Sequence, residues 1–200
     1  MKSKKQINQN GQKDKNLKQG FTLLELLVVV VIIGILAAIA LPQYRIAKMK
    51  ADVASLLPTM RRWKDALQEW KLHYGNYCKD GKGTDSTCDE IPNGADLGVT
   101  WPSDWISWNN NPLSCENHTD CFSANNKWRC YTHDNGNVYC LERNNYFFII
   151  LYQPDYYYQP LKEMRNKIGC FAENEKAKKI CQKLGGKFVK ELDGHYYYEL

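Results

Sequence analysis

The chain begins with a polar stretch and then changes to a long apolar run. Residues 1–20 carry six lysines and only three sizeable apolar side chains, so we predict a basic leader that cannot bury a core. Residues 21–41 contain a single ionisable side chain, Glu25, and would cover about 30 Å as a helix. This pattern predicts a membrane-spanning helix, with the leader kept in the cytoplasm by the positive-inside tendency and the rest exported.

After this run the apolar residues recur alternately every three and four positions as far as Tyr74. Such spacing is typical of a helix with one apolar face. Large side chains such as Trp63 and Trp70 favour packing on a sheet over a coiled-coil seam. We therefore predict that residues 42–74 continue the helix as an amphipathic segment that joins the apolar anchor to a folded head.

Three residues predict irregularities in this long helix. Pro42 and Pro58 lack the N–H that a helix interior uses and clash with the preceding turn, so a bend is expected at each. Gly34 predicts either a weak point or a place where another helix packs closely. The expected form of residues 21–74 is one bent helix.

The head, residues 75–200, alternates strand patterns with turn signals. Residues 127–152 read as a three-stranded meander with an Asn135-Gly136 hairpin turn. A short helix ended by Gly185 and Gly186 follows, and then a last hairpin around Asp193-Gly194. The predicted fold class is α+β, with the long N-terminal helix packed on an antiparallel sheet in a disulfide-stapled globular head.

Composition and charge limit the classes of function that the chain can have. Two hundred residues with 44% hydrophobic side chains suit one domain with an appendage. The net charge of +5 comes from the leader, since residues 21–200 hold 21 basic and 21 acidic side chains. Because residues 21–200 carry no net charge, the composition gives no reason to expect a specific nucleic-acid partner.

All eight cysteines follow the apolar run, where an exported domain meets oxidants. Because no pair has the two-residue spacing of common zinc knuckles, we expect disulfides and neither a metal nor another cofactor. Local spacing favours Cys78 with Cys88 and Cys170 with Cys181. The pairing of the middle four stays open: Cys115, Cys121, Cys130 and Cys140.

Two further groups of residues have a structural and a functional interpretation. Asp80, Asp85, Asp89 and Glu90 do not follow the spacing of an EF-hand loop, so a solvated acidic loop is favoured over a calcium site. Tryptophans and tyrosine triplets are expected to pack in the core or in half-buried strands, the alternative being an exposed aromatic surface for subunits or sugars. These are Trp101, Trp105, Trp108, Tyr156–Tyr158 and Tyr196–Tyr198.

The segment Gly20-Phe21-Thr22-Leu23-Leu24-Glu25-Leu26, with the apolar run and Pro42 after it, resembles the N-terminus of type IV pilins and pseudopilins. The resemblance implies that a membrane peptidase cleaves after Gly20 and that the new terminus, Phe21, is N-methylated. It also implies that Glu25 pairs with the terminal amine of Phe21 in a neighbouring subunit.

The resemblance further implies where the protein resides and what it contacts. The precursor would lie in the inner membrane with its head outside the cytoplasm, in contact with the lipid bilayer. Its partners would be a prepilin peptidase and methyltransferase, the inner-membrane assembly machinery and copies of itself in a helical filament. The filament would be extracellular or periplasmic.

The leading hypothesis is thus a structural subunit of a type IV pilus or pilus-like filament, and not an enzyme, because no common catalytic motif is present. A pseudopilin of a type II secretion system is the alternative that shares the same N-terminus. Two distant alternatives are a soluble protein released at Ala38-Ile39-Ala40 and a permanently anchored binding protein.

Overall fold

A computed structural model of the protein describes residues 21–79, 90–107, 120–123, 125–133, 135–156 and 158–200. The chain divides into two compact units, the first ending at Gln43 and the second comprising Tyr44–Leu200. Helix α1 (Leu23–Tyr74) contributes residues to both units. Within the described residues, α1 is the one helix that is long and apolar enough to cross a membrane.

Helix α1 includes all three positions where irregularities are predicted, Gly34, Pro42 and Pro58. Those bends stay predictions. The extent of the helix agrees with the predicted range, because the apolar run and the amphipathic stripe join without a break in helical character.

The described residues of the second unit form an antiparallel sheet of eight strands in the order β1-β2-β3-β4-β5-β6-β8-β7. The strands are β1 (Ile106–Ser107), β2 (Asp120–Phe122), β3 (Trp128–Thr132), β4 (Val138–Glu142), β5 (Phe147–Leu151), β6 (Ile168–Ala172), β7 (Lys187–Leu192) and β8 (His195–Glu199). Helices α2 (Gly94–Leu97) and α3 (Glu175–Leu184) and a 3-10 helix (Gln159–Met164) are the other helical elements among the described residues of this unit.

The predicted meander and terminal hairpin are confirmed as β3–β5 and β7–β8. The glycines in the turns explain where these hairpins turn. Gly136 (φ +73°) and Gly194 (φ +79°) adopt left-handed backbone conformations that are unfavourable for residues with a Cβ. The predicted short helix is α3, capped by the Asn174 side chain and ended by Gly185. The antiparallel α+β fold class is confirmed.

The main core lies between α1 and one face of the sheet. Five residues of the predicted apolar stripe are buried there against alternate residues of the central strands, including Phe147, Ile149 and Leu151. The stripe residues are Val53, Leu56, Met60, Trp63 and Leu67. Strand β5 is also buried at Ile150 on its other face, so both faces of this central strand are covered.

Candidate functional site: the start of the N-terminal helix

The first turn of α1 is closed by a reciprocal contact between Thr22 and Glu25. Thr22 precedes the helix, and its N–H and hydroxyl both donate to Oε2 of Glu25, each at 2.8 Å. In return the N–H of Glu25 donates to Oγ1 of Thr22 at 3.2 Å. This is a capping box, which satisfies N–H groups that the start of a helix leaves without partners.

The capping box holds the Glu25 carboxylate through one oxygen. Its Oε1 makes no hydrogen bond to any described residue, and the side chain is exposed. The carboxylate is thus fixed beside the positive end of the helix dipole with one oxygen available to a cation. This contact is a further feature of the site that was not predicted, although a Thr-x-x-Glu spacing before an apolar run is its known signature.

The surface that follows is apolar all round. Phe21 is 85% exposed, and each large apolar side chain between Leu23 and Leu41 is at least 45% exposed. A contiguous apolar surface of this length is unstable in water and marks a contact with lipid or with other protein. We therefore expect this stretch of α1 to be covered by lipid or by another protein molecule.

The other predicted residues of this region have simple placements. Gly20, on the amino side of the expected cleavage, lies outside the described residues. At Gly34 an added Cβ would meet nothing within 4 Å. No contact with the described residues therefore requires a glycine at Gly34, and close packing there would involve another molecule.

Two disulfides are described in the head. Cys170 of β6 is joined to Cys181 of α3, as predicted from their spacing. Cys130 joins Cys140 directly across the β3–β4 pair. The sequence contained a signal for this second pairing, because both cysteines are five residues from Asn135 in the hairpin turn.

The remaining predicted cysteine positions are partly described. Cys78 and Cys121 are disulfide-bonded and fully buried. Cys88 lies outside the described part of the chain, so its predicted pairing with Cys78 stays a prediction. Cys115 also lies outside the described residues. Most of the acidic loop, Asp80, Asp85 and Asp89, likewise lies outside the described residues.

The tryptophans pack as expected. Trp101 and Trp105 stack on each other, with ring centroids 5.5 Å apart, and Trp101 stacks on Trp63 of α1 at 4.8 Å. Both are nearly fully buried in the main core. Trp108 lies outside the described residues. The aromatic cluster therefore attaches the loop region to the helix.

Polar contacts tie the second part of α1 to the head. The buried amide of Gln153 donates to the carbonyls of Lys64 (3.0 Å) and Gly136 (2.8 Å), linking the helix to the β3–β4 turn. Asp155 accepts from the Tyr77 hydroxyl at 2.9 Å and lies 2.5 Å from Lys71 Nζ. Burial of Asp155 raises its pKa, but hydrogen bonds from Lys71 and Tyr77 outweigh burial, and the net pKa is lowered.

Comparison with known proteins bears on the N-terminal segment that contains this capped, apolar helix start. Residues 15–41 match the family model described as the prokaryotic N-terminal methylation motif. The resemblance to type IV pilins inferred from the sequence is confirmed over this region.

Particular relatives are pilins and fimbrial proteins. The type IV major pilin protein PilE of Neisseria gonorrhoeae is 42% identical over 64 residues, 32% of this chain and 38% of the relative. The type IV major fimbrial protein FimA of Dichelobacter nodosus is 41% identical over 71 residues, 36% of this chain and 40% of the relative. The chain thus spans about two fifths of the length of these relatives. No solved structure matches it.

Proposed function

We propose that this protein is a structural subunit of a type IV pilus or pilus-like filament. After removal of residues 1–20 by a prepilin peptidase and N-methylation of Phe21, it polymerises through residues 21–41. Glu25 pairs with the α-ammonium group of Phe21 in a neighbouring copy. The precursor is anchored in the inner membrane with its head outside the cytoplasm. Inner-membrane machinery assembles it into the filament.

The observation that carries this proposal is the state of Glu25. It is the only ionisable side chain in residues 21–41, and the capping box leaves its Oε1 without a partner among the described residues. A carboxylate at the centre of a bilayer costs about 2.5–3.5 kcal/mol on insertion scales. Cleavage after Gly20 creates a cation at Phe21, which is the partner that a buried Glu25 requires.

The apolar surface supports the same conclusion. Leucine, isoleucine and valine side chains bury equally well among lipid tails and among parallel copies of the same helix. One exposed apolar segment therefore serves both the stored subunit and the filament core. An ion pair within that core penalises misaligned copies, because losing one partner of a buried pair costs about 3–5 kcal/mol.

The test is Glu25→Gln, with Glu69→Gln as the matched control. The glutamine amide oxygen can still accept from Thr22, so this variant removes the charge and keeps the cap. Glu69 lies exposed in the same helix, in the amphipathic part. We expect Glu25→Gln to insert and lose its leader normally while filament yield falls sharply, and Glu69→Gln to assemble as the native chain does.

Intact mass and N-terminal sequence of the protein from its native cells provide the second measurement. The proposal requires a chain beginning at N-methylated Phe21, about eight hydrogens lighter than its reduced form if all eight cysteines are paired. A chain beginning at Leu41, or one that retains residues 1–20, would overturn it, as would normal filaments from Glu25→Gln. Filament length then separates a pilus from a secretion pseudopilus.

A further inference from the structure

A cavity of about 330 Å³ opens on the face of the sheet opposite α1. It belongs wholly to the unit Tyr44–Leu200. The described residues that line it are all uncharged at neutral pH, and aromatic rings dominate. Six of them are tyrosines: Tyr131, Tyr139, Tyr152, Tyr156, Tyr158 and Tyr197.

Strand register builds the cavity from residues that are far apart in sequence. Tyr131, Tyr139 and Ile150 occupy one row across β3, β4 and β5, and Gly169 of β6 continues that row. A Cβ at Gly169 would lie 2.7 Å from the ring of Tyr152, so the absence of a side chain there lets this tyrosine lie over the sheet. Tyr152 is 2% exposed and forms part of the floor.

The walls present ring faces and hydroxyl groups together. The rings of Tyr131 and Tyr139 stack with centroids 5.3 Å apart and planes inclined by 7°. The hydroxyls of Tyr131, Tyr158 and Tyr197 make no hydrogen bond to any described residue. Burial raises the pKa of both Tyr131 and Tyr197 to about 12, so these phenols remain protonated donors and acceptors at neutral pH.

Size and chemistry select the occupant. A cavity of this volume is at the small end of small-molecule sites, whereas a stable protein interface needs about 800 Å² on each partner. The uncharged lining offers no opposite charge to compensate the desolvation of an ion. A purely apolar ligand would leave the hydroxyls of Tyr131, Tyr158 and Tyr197 without partners. A sugar ring has an apolar C–H face for stacking and hydroxyls at its edge.

We propose that this tyrosine-lined cavity binds a neutral saccharide unit, which stacks on the Tyr131 and Tyr139 side and hydrogen-bonds to the hydroxyls of Tyr158 and Tyr197. This binding site is independent of the N-terminal helix. It gives the head a ligand-recognition role in addition to the proposed function in a filament.

The test uses the full chain in a detergent without a sugar headgroup. Methyl glycosides of glucose, galactose, mannose and N-acetylglucosamine are the probes, and saturation-transfer NMR with fluorescence titration is the readout. We expect at least one glycoside to bind with its ring C–H groups saturated by the aromatic side chains. Tyr158→Phe and Tyr197→Phe, which remove only a hydroxyl, should each weaken binding about fivefold.

Tyr74→Phe is the matched control, because Tyr74 is 55% exposed at the end of α1 and outside the cavity lining. It should bind as the native chain does, and Tyr131→Ala should abolish binding through loss of the stacked pair. Absence of binding by all four glycosides would overturn the proposal. Equal weakening by Tyr74→Phe would also overturn it, as would binding of a proline-rich peptide in their place with the same dependence on Tyr158 and Tyr197.

Discussion

The ring of Tyr77 lies directly against the backbone of Gly136. Tyr77 follows α1 and is 1% exposed, and Gly136 occupies the β3–β4 turn with a φ of +73°. A Cβ built at Gly136 would meet three atoms of the Tyr77 ring at less than 3.0 Å. The close approach joins the segment after the long helix to the central hairpin, and only glycine permits it.

Replacing Gly136 tests this contact. Gly136→Ala should lower the free energy of unfolding by about 2–4 kcal/mol, because overpacking against Tyr77 adds to the cost of a left-handed alanine. Gly194→Ala is the control: its φ is +79°, but an added Cβ meets nothing within 4 Å, so about 1 kcal/mol is expected. Denaturant unfolding followed by tryptophan fluorescence measures both. Equal losses would show that backbone conformation alone is responsible.

The two described disulfides should contribute similarly to stability. Cys130–Cys140 and Cys170–Cys181 span 10 and 11 residues, so each removes a similar amount of entropy from the unfolded chain. Replacing either pair by alanines should cost about 2–3 kcal/mol in denaturant unfolding under oxidising conditions. A decrease in the free energy of unfolding of less than about 1 kcal/mol for either pair would contradict this expectation, because the chain-entropy model requires a larger decrease for loops of this length.

Asp155 should make the head sensitive to acid. Its folded-state pKa lies below the ordinary value of 3.8, so its stabilising contribution is fully present at neutral pH. The contribution is lost as the pH falls below 3.8 and through the lower folded pKa. The free-energy difference between the native chain and Asp155→Asn should therefore shrink between neutral pH and about pH 3. Unfolding curves of both chains at several pH values measure this free-energy difference. A difference that does not change with pH would show that ionisation of Asp155 does not contribute to the acid sensitivity of the head.

Thr22 should matter for assembly through its hydroxyl. Thr22→Val keeps the shape and removes the cap, at a cost of about 1 kcal/mol in helix stability, and it leaves the Glu25 carboxylate without its hydroxyl donor. Filament yield relative to processed subunit should fall, while Thr22→Ser, which restores the hydroxyl, should assemble normally. Yield is measured on sheared filaments. Equal yields from the valine and serine variants would remove the capping box from the assembly mechanism.

Local patterns predicted most of the regular structure. The long helix, the meander, α3 and the last hairpin each have a periodicity or a turn residue within a few positions, such as Gly136 or Gly185. The short strands β1 and β2 were missed, because two or three residues hold too little pattern, and the six-residue 3-10 helix was missed too. Strand β6 was missed as well; its Gly169 and Cys170 make sense only beside Tyr152 and α3.

The sequence by itself determined the N-terminal helix and the single carboxylate of its apolar stretch, residues 21–41, since an apolar run and a capping residue act on neighbours only a few positions away. Tertiary structure alone decided which side chains meet across the sheet. Strand pairing brought the cavity tyrosines together from β3, β4, β8 and the segment after β5, because register depends on the packing of whole faces. Contacts between distant segments follow from that packing and leave no local signal in the chain.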